Sequence, residues 1–205
     1  MEKTSYLIYG GGAHSRVIIS ILEKMDIKIA GIFDIKNHVK LPKKIPFLGS
    51  YDAQINSNCK LAIAIGDNSI RKKISQNIKH PIATIVDPNT NISNDVSIGK
   101  GSQIIASSTI NVGTIIGKYC IINTNSSIDH DCMISDFAHI APGVTICGGV
   151  SIGNSTLVGA GSTVLPNVTI GDNVIIGAGS LVNKNIPSGK KVLGTPAKVI
   201  YNEKK

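Results

Sequence analysis

The sequence predicts two modules of different class. Residues 1–80 read as an α/β module, and residues 81–205 as an all-β prism of short parallel strands wound into a helix. Three observations predict this. Ile or Val recurs at every sixth residue along the second module, and glycine-rich turns follow short apolar runs in the first. The 205-residue chain is also apolar enough to bury a core, with 42% hydrophobic and 17% charged residues.

The repeat comes first, because it decides the fold. Counted in sixes from Val86 through Ile92, Ile98 and onward to Val182, all seventeen guide positions hold Ile or Val. Even if a third of all residues were Ile or Val, chance would give such a run about once in 10⁸ trials. A period of six fits neither an α-helix nor a coiled coil. Six residues per flat side and three sides per turn describe a triangular parallel β-helix, with the guide residues stacked inward on short strands. Four residues after each guide stand small or β-branched residues, among them Ser102, Thr114, Cys120, Cys132, Ala138 and Val150, which are expected to face inward too. Gly99, Gly117, Gly153, Gly171, Asn125 and Asn154 are expected at corners, supplying turn conformations that other residues resist.

The first module opens with an apolar run, Ser5–Tyr9, that ends in Gly10-Gly11-Gly12-Ala13-His14-Ser15. A helix is expected from Arg16 to about Lys24, a second strand over Ile29–Phe33 ending at Asp34, and a third over Leu61–Ile65 ending at Gly66-Asp67-Asn68. A further helix begins near Ser69. Strand, glycine turn, helix, strand and acid form a Rossmann-like βαβ nucleotide-binding arrangement. A complete G-x-G-x-x-G would indicate NAD, but its third glycine is replaced by Ser15. A nucleotide or nucleotide-sugar pocket and a purely structural tight turn remain the two other readings.

Composition excludes several classes. Trp is absent and aromatics are 4%, which argues against a stacking platform for nucleic acid. No apolar stretch reaches the length of a membrane-spanning helix. The opening MEKTSYLIYGGG lacks a basic segment with a long apolar core, so export is not expected. Cys59, Cys120, Cys132 and Cys147 form no CxxC pair and suit reduced thiols in a cytoplasm. The net charge of +8 is concentrated in residues 1–80, which carry 13 basic against 6 acidic residues. Such an excess would draw a phosphate-bearing ligand, or is only a solvated surface. The lysines are too scattered for a DNA-binding helix.

Chemistry within the repeat points to His130, in Ser127-Ile128-Asp129-His130-Asp131-Cys132. It lies two places past a guide residue and should face outward. Residues eighteen apart stack, which places Gly148 above His130 and Gly149 above Asp131 and leaves room beside a His–acid pair. Imidazole titrates near neutrality, and a neighbouring carboxylate orients it and raises its basicity. Cys132, the competing nucleophile, occupies an inward position.

A βαβ module with a glycine/His turn, then AIGDNSIRKKI, then the six-residue repeat, and finally Gly194-Thr195-Pro196-Ala197-Lys198 together resemble the bacterial hexapeptide-repeat acyltransferases. The similar subgroup comprises sialic acid O-acetyltransferases and the N-acetyltransferases of UDP-4-amino-4,6-dideoxy sugars, including the bacillosamine-pathway enzyme. The resemblance implies a left-handed β-helix, although ordinary connection rules favour right-handed crossovers. It also implies acetyl-CoA as co-substrate with no metal, and a cytoplasmic homotrimer with sites between subunits, acting in surface-glycan synthesis. His130 would be the base and Asp131 the acid that tunes it. His139, Gly148, Ala160 and Ala178 would meet acetyl-CoA. Gly12, Ala13, His14, Asp34, Gly66, Ser69 and Asn123 would meet the substrate. Two departures stand out, namely Ala13 where nucleotide-sugar members carry a second glycine and Ile35 where the bacillosamine-type enzyme carries a second Asp.

The expected activity is transfer of acetyl to the 4-amino group of a UDP-type amino-deoxysugar by direct attack on the thioester, with sialic acid O-acetylation as the alternative. A β-helical zinc hydratase would need three histidine ligands, and the repeat holds two histidines, His130 and His139. A non-catalytic β-helix should lack the His–Asp pair. A bulky residue at Gly148 is expected to raise the KM for acetyl-CoA.

Overall fold

The computed structural model describes residues 5–36, 42 and 44–200. The chain forms two compact units, residues 1–88 and 89–205.

In the first unit, β1 (Tyr6–Tyr9), β2 (Ile29–Phe33), β3 (Phe47–Gly49) and β4 (Lys60–Ile63) form a parallel sheet in the order β3-β2-β1-β4. Strands buried on both faces need near-continuous apolar runs, and Leu7, Ile8, Ile32, Phe33, Leu61 and Ile63 supply them. Helix α1 (Ala13–Lys24) buries Ser15, Ile18, Ile19, Ile21 and Leu22, the stripe expected of an amphipathic helix on a sheet. It starts at Ala13, three residues earlier than the sequence suggests. Gly12, in extended conformation, is its N-cap, and Ser15 donates its hydroxyl back to the Gly12 carbonyl at 2.6 Å. Gly10 requires its lack of a side chain: its φ is +105° and a Cβ would lie 2.6 Å from Ile65 Cδ1. Strand β3 has no counterpart in the sequence reading, and β4 stops two residues short of it. Helix α2 spans Asn68–Ser75.

The second unit is the predicted prism of hexapeptide repeats. Guide residues pair in parallel at a spacing of eighteen, as in Ile116 with Ile134, Ile122 with Ile140, and Ile128 with Ile146. The three columns make three sheets around an enclosed interior. From Ile104 to Val182, no guide residue is more than 1% exposed. Ile92 and Ile98, at the first coil, are half-buried. Some interior hydroxyls are satisfied by the coil above them: Thr114 Oγ1 donates to the Asp129 carbonyl at 2.8 Å and accepts the Cys132 N–H at 3.1 Å. Ser102 likewise donates to the Gly117 carbonyl and accepts from Cys120 N–H. A small polar residue therefore costs little inside, provided its spacing is kept.

The corners differ from expectation in an informative way. Left-handed backbone falls three residues after each guide from Ile98 to Ile176, on a series that includes Gly113, Tyr119, Asn125, Asp131, Phe137, Gly149 and Asn167. Asn125 belongs to it, but Gly99, Gly117, Gly153, Gly171 and Asn154 do not. Those glycines are required by close stacking instead: a Cβ on Gly99 would lie 2.5 Å from the Gly117 carbonyl carbon. Tyr119 and Phe137 tolerate the left-handed corner and stack face to face, with ring centroids 5.0 Å apart. After the last guide residue, Lys191–Leu193 pairs in parallel with Ile175–Ile176, and Lys198–Val199 folds back antiparallel onto it.

Ile140 tests the packing, because it is fully enclosed between Ile122 and Val158. Ile140→Ala is expected to cost about 2–5 kcal/mol, read as a lower denaturation midpoint with an unchanged circular-dichroism spectrum.

Candidate active site

His130 and Asp131 sit at the corner that joins strand Ser127–Ile128 to strand Met133–Ile134. Asp131 is the corner residue, with φ +57°, a conformation Asp adopts more readily than most residues. The turn carries its carboxylate back to the imidazole, placing Oδ2 2.8 Å from His130 Nδ1. A carboxylate only accepts, so Nδ1 carries the proton and Nε2 the lone pair. The His130 side chain is 55% exposed, so the ring projects outward as its position after Ile128 predicts.

The neighbouring coils shape the space around the pair. A Cβ on Gly148 would lie 2.5 Å from Nε2 and 2.6 Å from Cε1 of His130, so the ring rests against bare backbone. On the coil before, a Cβ on Gly113 would collide with Asp131 Oδ1. The Gly149 N–H donates to the His130 carbonyl at 2.9 Å. The resulting cleft, about 380 Å³, is lined by His130, Asp131 and Gly148 together with Asp129, Cys147 and Asn167, among others.

Asp129 and Asn111 are members the sequence reading missed. Asp129 Oδ1 accepts from Asn111 Nδ2 at 2.9 Å and from the His130 backbone N–H at 2.8 Å. These two bonds, the Asn111 one foremost, hold the Asp129 carboxyl below its usual range. For His130, the hydrogen bond to Asp131 is the main influence, and the negative charge of Asp129 adds to it. Both raise the imidazole above its ordinary value. Replacing Asp131 by Asn keeps the shape and the corner but removes the charge. The His130 ring should then titrate at lower pH than in the parent protein, as followed by its NMR ring-proton shifts against pH. An unshifted midpoint would contradict the coupling.

Cys132 is 2% exposed, with Sγ 3.2 Å from the Cys147 carbonyl and 3.5 Å from that of His130. Burial raises its thiol above the usual value, which leaves it a poor nucleophile.

The other candidates lie elsewhere. Asn123 donates Nδ2 to His139 Nε2 at 3.1 Å, and the Thr124 N–H bond to Asn123 Oδ1 at 2.8 Å fixes the amide's orientation. Ala160 and Ala178 stack on the corner that Asn123 begins, next to the strands Leu157–Val158 and Ile175–Ile176. In one chain, this group and the His130 cleft occupy different corners of the prism.

In the first unit, Gly12, Ala13 and His14 open α1 at the C-terminal end of β1. Asp34, past the end of β2, accepts the Gly11 N–H at 2.6 Å and the Lys36 N–H at 3.1 Å. The glycine turn and the acid are thereby tied together. Asp34 also bears on Tyr9, whose phenol is raised by burial first and by Asp34 and Tyr51 after it. Gly66 and Ser69 flank Asp67, which caps α2 by accepting from Ile70 N–H at 2.8 Å and takes the Ser69 hydroxyl at 2.6 Å. A Cβ on Gly12 or on Gly66 would meet nothing within 4 Å, so both face open space at the sheet edge where such folds bind ligands.

Among the described residues, no cluster of three or more His, Cys, Asp or Glu could hold a metal ion, and no helix is long and apolar enough to cross a membrane.

Three family models match the chain: the PglD N-terminal domain over residues 6–78, the hexapeptide repeat of succinyl-transferase over 95–130, and the bacterial transferase hexapeptide over 149–184. No curated protein matches at a significant level. Among solved structures, perosamine N-acetyltransferase from Caulobacter crescentus, a histidine-to-asparagine variant in complex with CoA and GDP-perosamine, is 31% identical; the match covers 97% of each chain with a TM-score of 0.91. The acetyltransferase domain of PglB from Neisseria gonorrhoeae is 27% identical, over 96% of this chain and 99% of that one, with a TM-score of 0.89. The same domain was also solved in complex with acetyl coenzyme A. WeeI from Acinetobacter baumannii, 23% identical with a TM-score of 0.85 over 96% of this chain and 100% of that one, shares the fold.

Proposed function

Since the chain belongs to the hexapeptide-repeat sugar acetyltransferase family with a PglD-type N-terminal domain, we propose that it transfers acetyl from acetyl-CoA to the 4-amino group of a nucleotide-linked amino-deoxysugar. The observation that carries this reading is the outward imidazole, with its lone pair on Nε2 at the bare backbone of Gly148 and its other nitrogen held by Asp131.

The chemistry follows from that geometry. The sugar's amine attacks the thioester carbonyl carbon, the new C–N bond forms as the C–S bond breaks, and CoA leaves as its thiol form after taking up a proton. His130 Nε2 receives the proton lost by nitrogen, and Asp131 stabilises the imidazolium. No acyl-enzyme is needed, in keeping with the enclosed Cys132.

The separation of the two candidate groups supports a trimer. His139, Asn123, Ala160 and Ala178 lie at one corner and His130 with Gly148 at another, so one acetyl-CoA touching both sets would lie between two copies of the chain. The open sheet edge of the first unit, at Gly12, Asp34 and Gly66, suits the nucleotide sugar, and the basic excess of residues 1–80 favours its diphosphate. Both substrates are cytoplasmic metabolites, which gives the expected location, and an acetylated nucleotide sugar is a precursor for glycan assembly.

The test is a thiol-release assay with acetyl-CoA against UDP-, GDP- and dTDP-linked 4-amino sugars, with free and CMP-activated sialic acids alongside. Release with a nucleotide-linked amino sugar supports the reading. Release only with sialic acids would overturn it in favour of O-acetylation.

A further inference from the structure

The turn between β4 and α2 is organised around a buried charge. Helix α2 has one buried residue, Arg71, and its side chain is fully enclosed. Surface helices are ordinarily held by an apolar stripe, whereas the enclosed side chain here is a guanidinium. Enclosing such a group is costly unless its donors are well paired. Arg71 Nη1 donates to the carbonyls of Ile65 and Gly66, both at 3.0 Å, and Nη2 donates to Asn68 Oδ1 at 2.7 Å. The two carbonyls belong to the turn that follows β4, and Asn68 opens α2.

Those bonds have a directional consequence. In a trans peptide, the C=O of one residue and the N–H of the next point opposite ways. With the Ile65 and Gly66 carbonyls drawn toward the guanidinium, the N–H groups of Gly66 and Asp67 are turned away from it. A Cβ on Gly66 would meet nothing within 4 Å, so there is room beside the turn. A planar fork with five donors can hold two carbonyls and an amide oxygen at once, and an ammonium cannot hold the same three acceptors in that geometry.

We propose that Arg71 is a positioning residue for the acetyl acceptor: its fork sets the orientation of the Ile65–Gly66–Asp67 peptides that receive the nucleotide sugar. This rests on the reading of that sheet edge as the nucleotide-sugar site. Arg71 acts through the turn and not by contact with the reacting atoms.

The full-length enzyme is tested as Arg71→Lys, Arg71→Met and Asn68→Ala, by steady-state kinetics with acetyl-CoA and the best acceptor. Calorimetric titration with UDP, GDP and dTDP provides a second readout. In Arg71→Lys, the acceptor KM and the nucleotide Kd should rise about tenfold, with kcat and the acetyl-CoA KM within twofold of the parent. Arg71→Met should show at least as large a rise and Asn68→Ala a smaller one. An unchanged acceptor KM in Arg71→Lys would overturn the proposal while leaving the enzyme's function standing. So would a loss of kcat accompanied by a rise of both KM values and a fall of Tm, the mark of a merely structural anchor. If Arg71→Met does not fold, the other two variants decide. If the parent enzyme binds none of the three nucleotides and acetylates no nucleotide-linked sugar, the site reading fails and this inference fails with it.

Discussion

Replacing His130 by alanine should lower kcat/KM by about 10²–10⁴-fold without loss of the fold. The magnitude is that of losing a general base whose Nε2 lone pair is aimed into the cleft by the Asp131 bond on Nδ1. Asp131 and Asp129 flank the ring, and Cys132 is enclosed. The fold should survive because the imidazole is more than half exposed, so its removal leaves no cavity in the core. The backbone bonds of the corner remain as well, from Gly149 N–H to the residue-130 carbonyl and from Asp131 N–H to the Val112 carbonyl. The measurement is turnover with the best acceptor, with circular dichroism and melting as controls. The residual rate should lose the pH dependence set by the imidazole. In the parent enzyme the rate should rise with pH through the raised His130 midpoint, since only the unprotonated ring accepts a proton. Turnover near that of the parent would remove the base assignment.

The repeat was legible because a ladder of stacked side chains fixes chemistry at a strict spacing. Each guide residue must be apolar and β-branched wherever the coil is closed, and the arithmetic of eighteen then carries His130 to Gly148. The same arithmetic relates Asn111 to Asp129, Asp129 to Cys147 and Gly149 to Asn167. Those cleft residues were within reach of the spacing, but nothing in their types singled them out. The corners were harder. Glycine serves two purposes in this fold, left-handed backbone at Gly113 and Gly149 and close coil stacking at Gly99 and Gly153. Only the dihedral angles separate the two. In the first unit, β3 was invisible because three residues, Phe47–Gly49, hold no period and lie partly exposed. The start of α1 was read late because glycine, alanine, histidine and serine look like a turn until Gly12 is seen to cap the helix. The distance between the His130 corner and the Asn123–His139 pair could not be read from family resemblance, which gathers residues by role and not by subunit.

Gly148→Ala should be nearly as damaging as removal of the imidazole, although it adds a single carbon. The sequence alone suggests that a bulky residue here raises the KM for acetyl-CoA by filling a channel. The structure moves the main effect to kcat. A methyl at residue 148 would lie 2.5 Å from Nε2 and 2.6 Å from Cε1 of His130, well inside contact distance, so one of the two groups must move. Gly148 is not among the left-handed residues, and its backbone can accept an alanine without strain. The ring is therefore the part that gives way. Swinging it aside breaks the 2.8 Å bond to Asp131, which removes the source of the raised basicity and displaces the lone pair by about an ångström or more. A misplacement of that size costs about 10²-fold in rate. The expected result is a kcat reduced by about that factor, an acetyl-CoA KM changed far less, and a melting temperature close to that of the parent, as an outward substitution on an intact prism requires. Gly148→Leu should add the rise in acetyl-CoA KM to the loss of kcat. A Gly148→Ala enzyme with unaltered kcat would mean that the imidazole does not rest against residue 148 during turnover.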